Sequence, residues 1–167
     1  MKNYGSGIGG IVKALKGQDV SEEIIGALNT GYYRAFPKVI EYQQRVIAQV
    51  VKKGYVVNQY GRRYYITNPN NGYKFCNYLV QGSCADMLKG KIIEIHNLLS
   101  PYKTRFQMNI HDEMSFEVWR GEEFLVPKIK EIMESCDWAN VPIVAEVEKT
   151  TTSWADKESV DVNGITN

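Results

Sequence analysis

The chain has 167 residues, enough for one domain with a real core or for two small lobes. An apolar content of 44%, a charged content of 23% and a net charge of +1 exclude a global basic footprint, so any nucleic-acid partner has to be held by local patches. Cys76, Cys84 and Cys136, odd in number and widely spaced, exclude a disulfide framework and a zinc pattern; they fit reduced core thiols in a cytoplasmic setting, and no apolar run suggests a signal peptide or a membrane span.

The chain opens on Asn3-Tyr4-Gly5-Ser6-Gly7-Ile8-Gly9-Gly10, whose glycines suggest a helix end or a close backbone approach to a ligand. A phosphate-cradling loop is a weaker reading, because the Gly-Lys-Ser/Thr ending is missing and no strand precedes the glycines. Ile11, Val12, Ala14 and Leu15 predict a short helix stopped by Gly17. Ser21 followed by Glu22 and Glu23 predicts a capped helix running to about Phe36. Pro37 starts the next helix, with Val39, Ile40, Val46, Ile47 and Val50 as its stripe, and Gly54 ends it.

Tyr55 to Ile66 predicts a hairpin about a glycine turn, with Arg62 and Arg63 set among tyrosines. Such a ribbon either grips phosphates and stacks on bases or simply covers tyrosine faces with its arginines. A loop of turn residues from Asn68 to Gly72 follows. Tyr73 to Leu99 is predicted helical, with a broad apolar surface. Asn77, Gln81 and Ser83 in its first part are neutral polar groups that suit either contact with base edges and sugars or plain solvation.

Arg105 to Ile110 and Met114 to Val118 alternate in the manner of two half-buried strands, with His111, Asp112 and Glu113 at the bend between them. Two adjacent carboxylates and an imidazole on a rigid turn are suited to a hard divalent cation such as Mg²⁺, or else form a solvated charged turn. Gly121-Glu122-Glu123 predicts the start of another helix with Phe124, Leu125, Val126, Ile129, Ile132 and Met133 inward. Val141 to Glu148 alternates and is predicted as the last strand, with Glu146 and Glu148 facing solvent or supporting a site from behind, not acting as ligands. Asp156 to Asn167 is polar and is predicted as a disordered tail. The fold class expected is α+β: helices first, then an antiparallel sheet flanked by helices.

Several segments, in order, resemble the C-terminal part of family A DNA polymerases, the polymerase I class, and look most like a phage version. They are Asn3-Tyr4-Gly5, Phe36-Pro37-Lys38-Val39, Gly54-Tyr55-Val56, Tyr60-Gly61-Arg62-Arg63-Tyr64, Asn77-Tyr78-Leu79-Val80-Gln81-Gly82-Ser83-Cys84-Ala85-Asp86, Ile110-His111-Asp112-Glu113, Val141-Pro142-Ile143 through Glu146-Val147, and Ser153-Trp154. The resemblance implies the end of a fingers subdomain over 1–66, a palm over 67–157 and a polar tail over 158–167. It implies that Asp112 holds catalytic Mg²⁺, with Glu113 nearby and less essential, and that His111 touches the primer-terminal nucleotide. Gln81 and Asn77 would contact the template–primer, largely in the minor groove. Lys74, Arg62 and Arg63 would contact the DNA backbone, and Tyr4 would pack against the sugar of an incoming deoxynucleoside triphosphate. The chemistry implied is two-metal nucleotidyl transfer in the cytoplasm of a bacterium or phage-infected host.

The pattern also departs from that family. The second essential aspartate, in an Asp-Tyr-Ser-type motif, has no counterpart, nor do the fingers arginine and lysine that grip the triphosphate. Lys2 is out of register, and Ile8 stands where an aromatic is expected. The expectation is therefore the downstream piece of a split or interrupted polymerase, inactive alone and completed by an N-terminal fragment carrying the other aspartate. A non-catalytic DNA-binding or prophage remnant is the alternative, and an unrelated Mg²⁺-dependent nuclease is a weaker third.

Overall fold

The computed structural model describes residues 13, 21–65, 72–162 and 165. The glycine-rich opening with Tyr4, the first short helix and most of the 68–72 loop lie outside the described residues. The chain divides into two compact units, Met1–Cys84 and Ala85–Asn167.

In the first unit, helix α1 spans Glu22–Ala35 and is capped by Ser21, whose side chain accepts a hydrogen bond from the Ile24 amide at 3.3 Å. Helix α2 follows at once, Pro37–Lys53, because proline at its first turn has no amide hydrogen to leave unpaired. Gly54 ends it in the left-handed region, at φ 75°. Strands β1 (Tyr55–Val57) and β2 (Arg63–Tyr65) pair antiparallel, Val56 opposite Tyr64. The turn between them is organised by buried Asn58, whose side-chain oxygen accepts from the amides of Tyr60 at 3.0 Å and Arg62 at 2.9 Å. Helix α3 runs Lys74–Leu99, and Cys84 and Ala85, where the units meet in sequence, lie within it. Phe75 and Cys76 pack with Val46, Val50 and Val56 as the core of the first unit.

In the second unit, β3 (Arg105–Ile110) and β4 (Glu113–Glu117) form the expected hairpin. Its register shifts between Phe106 and Met108, so the strict alternation of the sequence is broken there. Phe106 is half-buried, whereas Met108 and Ile110 are exposed. Helix α4 (Leu125–Glu134) starts slightly later than Gly121. Leu125 and Ile129 pack with Ile95, Leu99 and Met114 as a second core.

Two expectations are corrected. Val141 to Val147 is not a strand; near its centre, Ala145 has both backbone groups met by side chains instead of a ladder. The Ala145 amide donates to Glu134 at 2.9 Å, and its carbonyl accepts from Lys130 at 2.7 Å. The pairing comes later: β5 (Glu148–Lys149) lies antiparallel to β6 (Glu158–Ser159), with a short 3₁₀ turn at Trp154–Asp156 between them. The segment read as a disordered tail therefore supplies a strand, and Val162 beyond it is buried. The result is α+β, with three separate two-stranded antiparallel sheets among the described residues.

Candidate active site

β3 and β4 are joined by only two residues, His111 and Asp112, since Ile110 and Glu113 already face each other in the ladder. His111 has φ 56°, the only non-glycine residue with positive φ among those described. Two-residue hairpin loops need such a conformation, and glycine or asparagine usually fills it. A histidine there costs about 1–2 kcal/mol in backbone strain. Backbone strain of this kind clusters at functional sites. The Asn109 side-chain amide supports the turn by donating to the His111 carbonyl at 3.2 Å. Asn109 was not singled out in the sequence.

The two acids differ in their surroundings. Asp112 is exposed, with no hydrogen bond or ion pair among the described residues. Glu113 is not at the bend, as expected, but is the first residue of β4, and it is taken up by Lys157 at 3.0 Å. Lys157 also pairs with Glu148 at 2.7 Å. Among the described residues, no group of three His, Cys, Asp or Glu side chains converges as a metal site. The acids thus offer one free hard-oxygen ligand, Asp112, which fits a share of a Mg²⁺ site and not the whole of one.

The base of the hairpin is fixed by a second network. Thr104 is fully buried; its amide donates to Glu122 at 2.8 Å and its hydroxyl at 2.7 Å, and the Lys103 amide adds a bond of 3.0 Å. The Trp119 amide donates to the Thr104 hydroxyl at 3.1 Å, and the Lys103 ammonium lies over the Trp119 ring at 4.8 Å. Desolvation works to raise the Glu122 pKa, but these donors and the Lys103 charge outweigh it and hold the carboxyl below its usual range.

The polar residues singled out on α3 belong to the first unit. Lys74, Asn77 and Gln81 fall at i, i+3 and i+7, one stripe of the helix. Lys74 and Gln81 are exposed, while the Asn77 side-chain oxygen is buried with no hydrogen-bond donor among the described residues. Ser83 turns back to the Leu79 carbonyl at 2.6 Å and accepts from the Gln59 amide at 3.4 Å, so it braces the helix and ribbon. A Cβ on Gly82 would stand 2.0 Å from the Tyr64 hydroxyl oxygen, and Tyr64 also stacks on Tyr78 at 5.6 Å. Gly82 is thus the residue that lets β2 lie against α3. Arg62 and Arg63 are exposed on this ribbon, and the Arg63 guanidinium lies over the Tyr55 ring at 5.1 Å. A hydrogen bond to Tyr65 and the charges of Tyr55 and Tyr65 raise its pKa further.

The sequence reading missed Asn58 and Lys157. Asn58, two residues before Tyr60-Gly61, carried an Asx-turn signal. Lys157 sits just after Ser153-Trp154, at the edge of a polar stretch whose composition carries no signal for it. Tyr4 lies outside the described residues.

Comparison with known proteins agrees with this fold. Residues 3–156 match the model of DNA polymerase family A. The chain is 26% identical to Drosophila melanogaster DNA polymerase theta over 178 residues, covering 95% of this chain and 8% of the fly protein. It is 29% identical to DNA polymerase I of Synechocystis sp., covering 71% of this chain and 15% of that protein. It is 31% identical to the thermostable DNA polymerase I of Thermus thermophilus, covering 70% and 15%. The chain therefore spans a small part of the length of these relatives. Its fold resembles the POL domain of Pol1 from M. smegmatis in complex with DNA primer-template and dNTP, with a TM-score of 0.70 and 28% identity over 80% of this chain and 25% of that one.

Proposed function

The chain belongs to DNA polymerase family A, and from that premise we propose that it forms the end of the fingers, over 1–66, and the palm, over 67–157, of a DNA-directed DNA polymerase. The observation that carries the reading is the exposed carboxylate of Asp112, without a partner among the described residues, on a strained two-residue turn. A carboxylate held on paired strands is positioned within the tolerance that catalysis needs.

When bound, divalent cations would activate the primer 3′-hydroxyl and neutralise the departing pyrophosphate. Asp112 holds one share of that site, and Glu113 stands beside it in a lesser role. A second acid, of the Asp-Tyr-Ser-type motif, would complete that site. His111 contacts the primer-terminal nucleotide, and its turn fixes where the imidazole stands relative to Asp112. Asn77 and Gln81 reach minor-groove acceptors, whose similar positions in every base pair let shape be checked without reading sequence. Lys74, Arg62 and Arg63 contact phosphates, which positions the duplex without specifying it. Tyr4 packs against the incoming sugar.

Primer extension with Mg²⁺ tests this. The 167-residue chain alone does not extend a primer, and adding a family A fragment with the Asp-Tyr-Ser-type motif restores extension. In that complemented enzyme Asp112→Ala lowers the rate by about 10³-fold or more, since the developing charge loses its anchored cation. Normal extension by the Asp112→Ala variant would overturn the metal assignment, and extension by the chain alone would overturn the need for a further acid.

A further inference from the structure

Lys157 bridges Glu113 at 3.0 Å and Glu148 at 2.7 Å, and its ammonium lies over the Trp154 ring at 4.7 Å. Its backbone is held by the preceding turn, where Asp156 accepts from the Ser153 hydroxyl at 2.5 Å and the Thr152 hydroxyl at 3.1 Å. Glu148 and Lys157 belong to the β5–β6 ribbon and its connection, and Glu113 opens β4. One cation thus joins the C-terminal ribbon to the catalytic turn, 44 residues away in sequence.

The pair is too exposed to matter much for stability: the Lys157 side chain is 23% accessible and that of Glu113 is 44%. Its consequence is geometric. A carboxylate already paired with an ammonium is a poor cation ligand, because a divalent ion has to displace the lysine first. Of two adjacent acids, only Asp112 is left free among the described residues.

We propose that Lys157 is a positioning residue, which draws the Glu113 carboxylate toward the C-terminal ribbon and leaves Asp112 as the cation ligand of the turn. This rests on the polymerase reading of Asp112. It predicts that Glu113 and Lys157 act as one unit and that Asp112 acts apart from them.

The test uses the full chain with two readouts. The first needs no metal: amide hydrogen exchange at Ile110 and Glu113, the turn end of the β3–β4 ladder. Lys157→Met and Glu113→Gln each speed exchange about fivefold, the upper end for an exposed pair, and the double variant is no faster than either. Lys157→Arg, which keeps the charge, exchanges as the unaltered chain does. Amides of Leu125 and Ile129 report whether the core is intact. Additive effects, or no effect of either substitution, would overturn the proposal.

The second readout is broadening of the 111–113 amide signals by Mn²⁺. Asp112→Asn removes it, Glu113→Gln leaves it unchanged, and Lys157→Met strengthens it about fivefold by releasing a second negative charge. Adding Glu113→Gln to Lys157→Met cancels that gain. Equal losses for Asp112→Asn and Glu113→Gln would overturn the proposal. Coupled exchange without any Mn²⁺ response at the turn would support the Lys157 tie and count against the metal reading of Asp112 instead.

Discussion

Up to Cys84, the described polar groups that organise the chain are neutral: Asn58 folds the β1–β2 turn, Ser83 braces Gln59, and Tyr33 reaches Gln43 at 3.4 Å. From Ala85 on, carboxylates take that part. Glu122 collects the Lys103 and Thr104 donors, Glu134 with Lys130 grips Ala145, and Asp156 holds the last 3₁₀ turn. The difference follows from what each unit has to fix. Helices satisfy their own backbone, so the first unit needs polar help mainly at one turn. The second contains an extended segment without a ladder and a hairpin whose tip has to be held still. Ionised carboxylates accept several backbone donors at once and make stronger bonds than neutral groups.

If the units are separate bodies, core damage should stay local. Leu125→Ala removes a fully buried side chain and should cost about 3 kcal/mol. All three tryptophans, Trp119, Trp138 and Trp154, lie after Ala85, so their emission reports the second unit alone. The expected result is an earlier tryptophan transition with unchanged amide protection at Val50 and Val56. Loss of both together would break the comparison.

Gly82→Ala probes the first unit. The new methyl meets the Tyr64 hydroxyl and ring, which are packed against the core, so the cost should be about 2 kcal/mol. Tyr64→Phe removes only the nearest atom and should recover part of it, because ring carbon Cζ would still lie 2.8 Å away. The thermal midpoint of the pair of variants checks this; no recovery would mean that the helix itself is what the methyl disturbs.

His111→Gly should do the reverse of both. It relieves a positive-φ side chain and should stabilise the hairpin by about 1 kcal/mol. It should also slow the complemented polymerase, since the imidazole is lost and the turn loosens. Gain in melting temperature with loss of rate is the expected pair of results. Unchanged extension would mean that the strain serves no purpose in catalysis.

Much of this was legible in the residues. Ser21, Pro37 and Gly54 mark helix ends through their own backbone chemistry, and the structure has those ends. The alternating runs on either side predict the hairpin but leave three residues, His111 to Glu113, for its bend; pairing of Ile110 with Glu113 shortens the turn to two. The failures share one cause. Val141 to Val147 has strand patterning, but a strand exists only with a partner, and side chains of Lys130 and Glu134 occupy the backbone groups of Ala145 near its centre. Glu158–Ser159 lacks strand composition yet pairs with Glu148–Lys149. Lys157 was invisible for the same reason: its importance comes from what it meets, Glu113 and Glu148, both distant in sequence.

The smallest effect is also the one that divides the units most sharply, because it has opposite signs. In the second unit the carboxyls of Glu122, Glu134 and Asp156 are all held below their usual range. For Glu122, donors and the Lys103 charge outweigh desolvation; for Glu134, the Lys130 hydrogen bond leads; for Asp156, the Ser153 hydrogen bond does. A lowered folded-state value means stability that is present above the unfolded carboxylate range of about 4 and is lost as pH falls through the lower folded value. In the first unit the Cys76 thiol and the Tyr42 phenol are pushed up, in both cases chiefly by burial. A raised value means stability that is complete below the unfolded thiol range of about 8.5 and is lost as pH rises beyond it. Acid should therefore shift tryptophan emission while the methyl signals of Val50 and Val56 hold, and mild alkali should disturb those methyls first. Cys76→Ala should remove most of the alkaline loss. Coincident pH transitions for both probes would show that the two chemistries stabilise one cooperative body instead of two.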